Sequence, residues 1–181
     1  MGAAVPELSF RSAVPADVDA VVALVESAYR GDGSRAGWTT EADLLDGQRT
    51  DRDEVRALIE GPRSRLVLAE REGAIVGSVV VRDEPESAYL GMLSVRPSLQ
   101  TAGVGRALVE EAERIAASEL GASVMRMTVI AQREELIAWY ERRGYALTGE
   151  REPFPYGDPR FGRPRREDLV FLVMRKRLAP R

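Results

Sequence analysis

The chain predicts an α/β domain built on one mixed sheet. A length of 181 residues suits a single domain with a sizeable core. Its 44% apolar and 30% charged residues make a globular balance. Segments of strand period and of helical period alternate through the middle of the chain. No internal repeat or shift in composition divides it, so residues 1–181 are read as one unit.

The elements follow in order. Residues 8–12 alternate weakly and form a short first strand. Pro15 and Asp17 open a helix in which Val18, Val21, Val22, Val25 and Ala28 recur at helical spacing up to Tyr29. Residues 31–37 are a glycine-containing break. Thr40, Glu41, Leu44 and Leu45 predict a second, short helix ending near Gly47, and residues 53–59 a third, stopped by Gly61-Pro62. Residues 65–70 form a strand with Leu66 and Leu68 on one face and Val67 and Ala69 on the other. The turn Arg71-Glu72-Gly73 leads into a hairpin partner at 74–81. Residues 89–95 are a third strand of this group. From Gly103 the period turns helical, with Val104, Ala107, Leu108, Ala112, Ile115 and Ala116 on one face, until Gly121. A strand at 124–130, a helix at 134–143 and a strand beginning at 145–148 come next. Residues 151–166, rich in proline, glycine and arginine, read as a long loop, and 168–173 as a final strand.

Composition excludes several chemistries. Without cysteine there is no disulfide, thiolate nucleophile or Cys-ligated zinc. Without histidine there is no Ser-His-Asp triad, no His-ligated metal and no ordinary neutral-pH proton shuttle, so no metal site is expected. The net charge of −3 predicts neither a nucleic-acid nor a membrane partner. Residues 1–6 lack the features of a secretory leader, and no apolar run has membrane-spanning length, so the chain reads as cytoplasmic.

The most informative stretch runs from Leu93, Ser94 and Val95 to Gln100, Thr101, Ala102, Gly103, Val104, Gly105 and Arg106. An apolar strand ends at Val95, a polar loop follows, and two glycines stand at the mouth of an amphipathic helix. The first amides of a helix lack intrahelical partners, and the helix dipole adds positive charge there. A pyrophosphate fits that position where no side chain obstructs it. Gly103 and Gly105 remove the Cβ atoms that would do so, Arg106 adds charge, and Gln100 braces the loop or meets phosphate oxygens. Taken alone, Gly-x-Gly also fits a flexible loop before an ordinary helix. A dinucleotide fingerprint fits poorly, since no acid follows the next strand, and a Gly-Lys-Ser/Thr phosphate loop is absent.

With these residues in view, the chain resembles the GCN5-related N-acetyltransferase (GNAT) family. The family's strand-ending valine and Gln/Arg-x-x-Gly-x-Gly/Ala correspond to Val95 and Gln100-Thr101-Ala102-Gly103-Val104-Gly105. Its second mark corresponds to Trp139-Tyr140-Glu141-Arg142-Arg143-Gly144-Tyr145. The resemblance covers residues 8–177. It implies a GNAT-like mixed, mostly antiparallel central sheet with splayed parallel strands and flanking helices.

It further implies acetyl-CoA as the cofactor, with coenzyme A as product. The pantetheine arm would lie between the strands at 89–95 and 124–130, paired to backbone near Leu93 and Val95. The acetyl group would pass by direct attack, without an acyl-enzyme, to a primary amine of a small molecule or amino acid. Tyr140 matches the family's general acid, and a phenol with a pKa near ~10 is protonated at neutral pH. Its helix position is equally that of a core aromatic. Some relatives carry a glutamate where this chain has Tyr89, so the base stays unassigned. Water held by Tyr89, Ser94 or Thr128 is one route, and Glu41 or Glu86 another, though both carboxylates read as solvated surface charges.

The family's acceptor pocket corresponds to Tyr29, Trp38 and Glu41 on one side and the 151–166 loop on the other, with Tyr89 and Thr128 between. That loop mixes aromatics with arginines and reads as a nucleic-acid patch, a carboxylate-binding wall, a solvated loop or a homodimer contact. The acidic total charge favours the last two. Two rival functions stand beside the small-amine reading. One is protein or peptide N-acetylation, and the other is a non-catalytic acetyl-CoA-binding regulatory module.

Overall fold

A computed structural model describes residues 7–179; residues 1–6, on which the leader was judged, lie outside them. Strand β1 (Ser9–Ser12) leads through a 3-10 turn to α1 (Val18–Tyr29), α2 (Gly31–Ser34), β2 (Leu45–Asp46) and α3 (Arg52–Glu60). Strands β3 (Ser64–Arg71), β4 (Ala74–Asp83) and β5 (Ala88–Val95) follow, then α4 (Val104–Ser118), β6 (Val124–Ile130) and α5 (Glu134–Glu141). The chain closes with β7 (Ala146–Pro153), β8 (Arg163–Pro164) and β9 (Val170–Arg177). Seven strands make one sheet in the order β1-β3-β4-β5-β6-β9-β7, while β2 and β8 pair apart from it. Every neighbouring pair is antiparallel except β5 and β6.

The period-2 alternation of β3 divides the core. Leu66 and Leu68 pack with Val21 and Val25 of α1 and Val55 of α3 on one face. Val67 and Ala69 lie on the other, in the cluster that holds Leu108, Ala112 and Ile115 of α4 and Ile137 and Tyr140 of α5. Helices thus cover both faces, which is why the middle strands read as nearly continuous apolar runs.

Two irregularities position the site. The parallel strands β5 and β6 pair only at Ala88↔Met125 and Tyr89↔Arg126, and beyond that point they part. On its other edge β5 carries an extra residue against β4, between the pairs Val80↔Gly91 and Ser78↔Ser94. Met92 sits in this bulge at φ 47°, a left-handed conformation unfavourable for a methionine by about 1–2 kcal/mol. The bulge turns the end of β5 away from β6 and opens a slot in the sheet.

Four expectations are corrected. Residues 40–47 are not a helix: a single turn closes with the Leu45 amide on the Glu41 carbonyl at 2.9 Å. It does not propagate, because Glu41 is drawn inward by two arginines and Leu45 packs with Ile130, Phe154 and Leu169. One helical turn falls instead at Gly31–Ser34, within the expected break. At the C-terminal end, β7 runs on to Pro153 inside the stretch read as loop. It is an edge strand exposed along almost its whole length, so no buried face announces it in sequence. The final strand starts and ends later than expected, because its basic end continues the ladder with β6 as far as Val124↔Arg177. Among the described residues no helix is long and apolar enough to cross a membrane.

Candidate active site

Two chambers open at the gap between β5 and β6. The narrow one, about 60 Å³, is walled by Val95, Gly105, Trp38, Trp139 and Gln100. The broad one, about 390 Å³, is lined by Glu41, Tyr89, Thr128, Phe154 and a group of arginines. Tyr29, Leu93, Arg133, Leu136 and Tyr140 belong to both. The chambers therefore meet beside the Tyr140 ring and the backbone at Leu93.

Around the narrow chamber the donors are main-chain groups. The amides of Gly103, Val104, Gly105 and Arg106 have no backbone acceptor among the described residues, and the first bond into the helix is Ala107 N to Gly103 O at 3.1 Å. The Ala102 amide differs: it closes the preceding turn on Leu99 O at 3.0 Å and is spent there. Thr101, Ala102 and Gly103 are exposed at the loop tip. Gly103 has φ 81°, and that conformation is what requires glycine, since a Cβ would meet nothing within 4 Å. Gly105 is buried, and its Cβ would point at Trp139 and Val95, 3.6 Å from each. Gly105 borders the slot between Val95 and Trp139, where a Cβ would make ordinary contact.

The other loop residues divide by role. Val104 puts its side chain wholly in the core and offers only its amide. Gln100 braces the loop, donating through Nε2 to Val95 O at 3.4 Å. Arg106 is exposed and paired with Glu110 at 2.8 Å. Ser94 is buried, with its hydroxyl donated to the Met92 carbonyl at 3.1 Å, and it lines neither chamber, so it holds no water there.

At the junction, Tyr140 is 5% exposed and packs edge-on against Trp139 and Tyr145. Its hydroxyl makes no hydrogen bond among the described residues, although the residue borders both chambers. Burial pushes the Tyr140 phenol up, so its proton is held well into alkaline solution. Tyr29 donates its hydroxyl to the Leu93 carbonyl at 2.7 Å. Trp38 tilts against Trp139 at a centroid distance of 6.3 Å and closes the narrow chamber from outside.

The broad chamber is built from side chains. Glu41 is 7% exposed, between Arg30 and Arg133, which are 6% exposed each. Arg30 Nη1 donates to its Oε2 and Arg133 Nη1 to its Oε1. Burial alone would raise the Glu41 carboxyl, but Arg133, Arg30 and Arg49 outweigh it and hold the group below the usual range. Glu41 is thus a buried anchor rather than a solvated charge, and a weak base. Glu86 is exposed, as expected, and lines neither chamber. Tyr89 and Thr128 face each other across the parting strands with their hydroxyls 3.0 Å apart. Sequence reasoning missed Arg30, Arg49, Arg82 and Arg133, all of which line this chamber.

The site is thus a sheet parted beside a glycine-opened helix N-terminus, with a buried tyrosine at the junction. The acetyltransferase (GNAT) family matches residues 24–145, and the chain belongs to that family. No curated protein matches it in sequence. Among solved structures it is similar to the ribosomal-protein-S18-alanine N-acetyltransferase from Escherichia coli. The TM-score is 0.71 and the identity 16%, over 97% of this chain and 96% of that one. A nourseothricin acetyltransferase is similar at TM-score 0.67 and 23% identity, over 95% and 99% of the two chains. A protein from Salmonella typhimurium solved with its cofactor acetyl-CoA is similar at TM-score 0.67 and 20% identity, over 97% and 96%. At these identities the likeness is one of fold.

Proposed function

We propose that this chain transfers an acetyl group from acetyl-CoA to a primary amine of a small molecule or amino acid. The reading rests above all on one observation: a slot beside free helix amides and a parted strand edge meets a larger cavity at a buried tyrosine with an unpartnered hydroxyl. The residues present fit the cofactor. The free amides of Gly103 to Arg106 offer donors for its diphosphate, and the unpaired edges of β5 and β6 offer strand-like partners for its arm. When bound, acetyl-CoA supplies an activated thioester, and the rest of the chemistry falls to this chain. Leu93 and Val95 carry the backbone groups that would align the arm, and Trp38 and Trp139 exclude water from it. The nitrogen–carbon bond forms as the carbon–sulfur bond breaks. Tyr140 gives its proton to the departing sulfur, and the nitrogen's surplus proton passes to water in the broad chamber, from which Tyr140 is reprotonated.

The small-acceptor form is favoured by the wall that residues 151–166 build. Phe154 is 6% exposed in its own cluster with Ile130 and Leu169, and Phe161 closes the cavity beside it. A protein substrate would need an open groove there. The test is a panel of amines incubated with acetyl-CoA and read by free-thiol release. Acetylation of small amines in preference to peptides is expected, whereas tight acetyl-CoA binding with no thiol release from any amine would contradict the proposal.

A further inference from the structure

The broad chamber holds more positive charge than its own acids neutralise, and the surplus sits in one pattern. Two tyrosines face the cavity, each flanked by two guanidinium groups. Arg49 and Arg133 lie over Tyr29 at 5.2 and 5.7 Å. Arg82 and Arg126 lie over Tyr89 at 4.5 and 5.5 Å. In each pair one arginine is neutralised, Arg133 by Glu41 and Arg126 by Glu84 and Glu152. The other arginine is not: the Arg49 and Arg82 side chains have neither a carboxylate within 4.0 Å nor a hydrogen-bond acceptor among the described residues.

Both unpaired cations line the cavity. Arg49 is half-buried and Arg82 stands on the exposed rim. Two of the three acids of the same wall are ion-paired, and the third is hydrogen-bonded. Glu41 is shared by Arg30 and Arg133, Glu152 is taken by Arg126, and Glu54 accepts the Thr50 hydroxyl at 2.6 Å. A guanidinium is charged at every working pH. Glu41 and Glu54 act on Arg49 only from beyond ion-pair distance, and an entering anion would give it a direct, charge-assisted partner.

We propose that the acceptor is an anionic amine, whose carboxylate or related oxyanion is bound by Arg49 and Arg82 while its amine points to the junction at Tyr140 and Leu93. This rests on the acetyl-transfer reading and narrows it. A cavity of about 390 Å³ has the volume for such a molecule, and Phe154 and Phe161 give its side chain an apolar wall. The flanking tyrosines hold the arginine planes in place, so that a bidentate oxyanion meets preformed donors.

The experiment compares matched acceptors by kcat/KM from free-thiol release, with acetyl-CoA binding measured separately by calorimetry. Alanine, leucine, phenylalanine and glutamate are each set against their α-carboxamides, decarboxylated amines and aminophosphonate analogues. An oxyanion arm should exceed its neutral partners by roughly 10- to 100-fold for at least one side chain. Preference for either oxyanion over its neutral partners supports the proposal, and the ratio of the two oxyanions names the source. Arg49→Gln should erase most of that preference by lowering kcat/KM for the oxyanion far more than for its neutral partner, and Arg82→Gln should do so in part. Because Arg82 is on the rim, the second variant keeps the test alive if the first misfolds. Neutral amines used as well as their carboxylates, or equal loss for both in Arg49→Gln, would overturn the anionic acceptor and leave acetyl transfer standing. If acetyl-CoA binds but no amine of any arm is acetylated, both readings fall together.

Discussion

The two chambers are built on different principles. The narrow one takes its donors from the main chain, free amides at the start of α4 and a parted strand edge, between walls that include Trp38 and Trp139. The broad one is made of side chains brought from distant segments, such as Arg133 onto Glu41 across 92 residues and Tyr29 onto Leu93 across 64. A chamber of backbone suits a constant ligand, and a chamber of side chains suits a ligand that differs between relatives. Substitutions should therefore act differently in the two, on donor affinity in one and on stability and acceptor choice in the other.

The largest effect is expected in the side-chain chamber. Glu41→Ala leaves Arg30 and Arg133 buried without their common acid, so unfolding free energy in urea should fall by about 3–5 kcal/mol. A fall under about 1 kcal/mol would mean the triad is not the anchor described. The same group sets a pH dependence. The Glu41 pKa lies below its ordinary value of 4.5, so its contribution is complete above that value and is lost as pH drops through the folded value. The urea midpoint should decline in acid below about pH 4.5, and less steeply in Glu41→Gln.

At the junction, Tyr140→Phe should lower kcat about 100-fold, with CoA affinity changed less than threefold. Equal loss in both would make Tyr140 a wall rather than an acid. Its raised pKa adds a second readout, because kcat should not fall on the alkaline side near pH 10 through loss of the phenolic proton. In the backbone chamber, Gly103→Val forces a β-branched residue to φ 81°. It should weaken CoA binding about tenfold with roughly 1–2 kcal/mol of lost stability. The smallest effect belongs to Arg106→Gln. Its bond to Glu110 is exposed, so stability should change by less than about 0.5 kcal/mol, and CoA affinity by a few-fold at low salt only.

The same contrast explains what was legible in the sequence. The backbone donors of the narrow chamber are encoded locally, in a strand, a short loop and two glycines within thirteen residues of Leu93, so motif and period reveal them. Even there the bulge escaped, because methionine carries no signal for a left-handed conformation. Arg49 and Arg133 show nothing in sequence that separates them from the other arginines of an arginine-rich chain. Their meaning comes from what they reach, Glu41 for Arg133 and the Tyr29 ring for Arg49, and that is set by tertiary packing. Glu41 read as surface for the same reason, and edge strand β7 read as loop because it buries no face.

The most direct test of the account is a crystal structure of the chain with CoA. The diphosphate oxygens should lie about 2.7–3.2 Å from the amides between Gly103 and Arg106, with the thiol beside the Tyr140 hydroxyl where the chambers join. A nucleotide seated elsewhere, or a thiol pointing away from Tyr140, would contradict it.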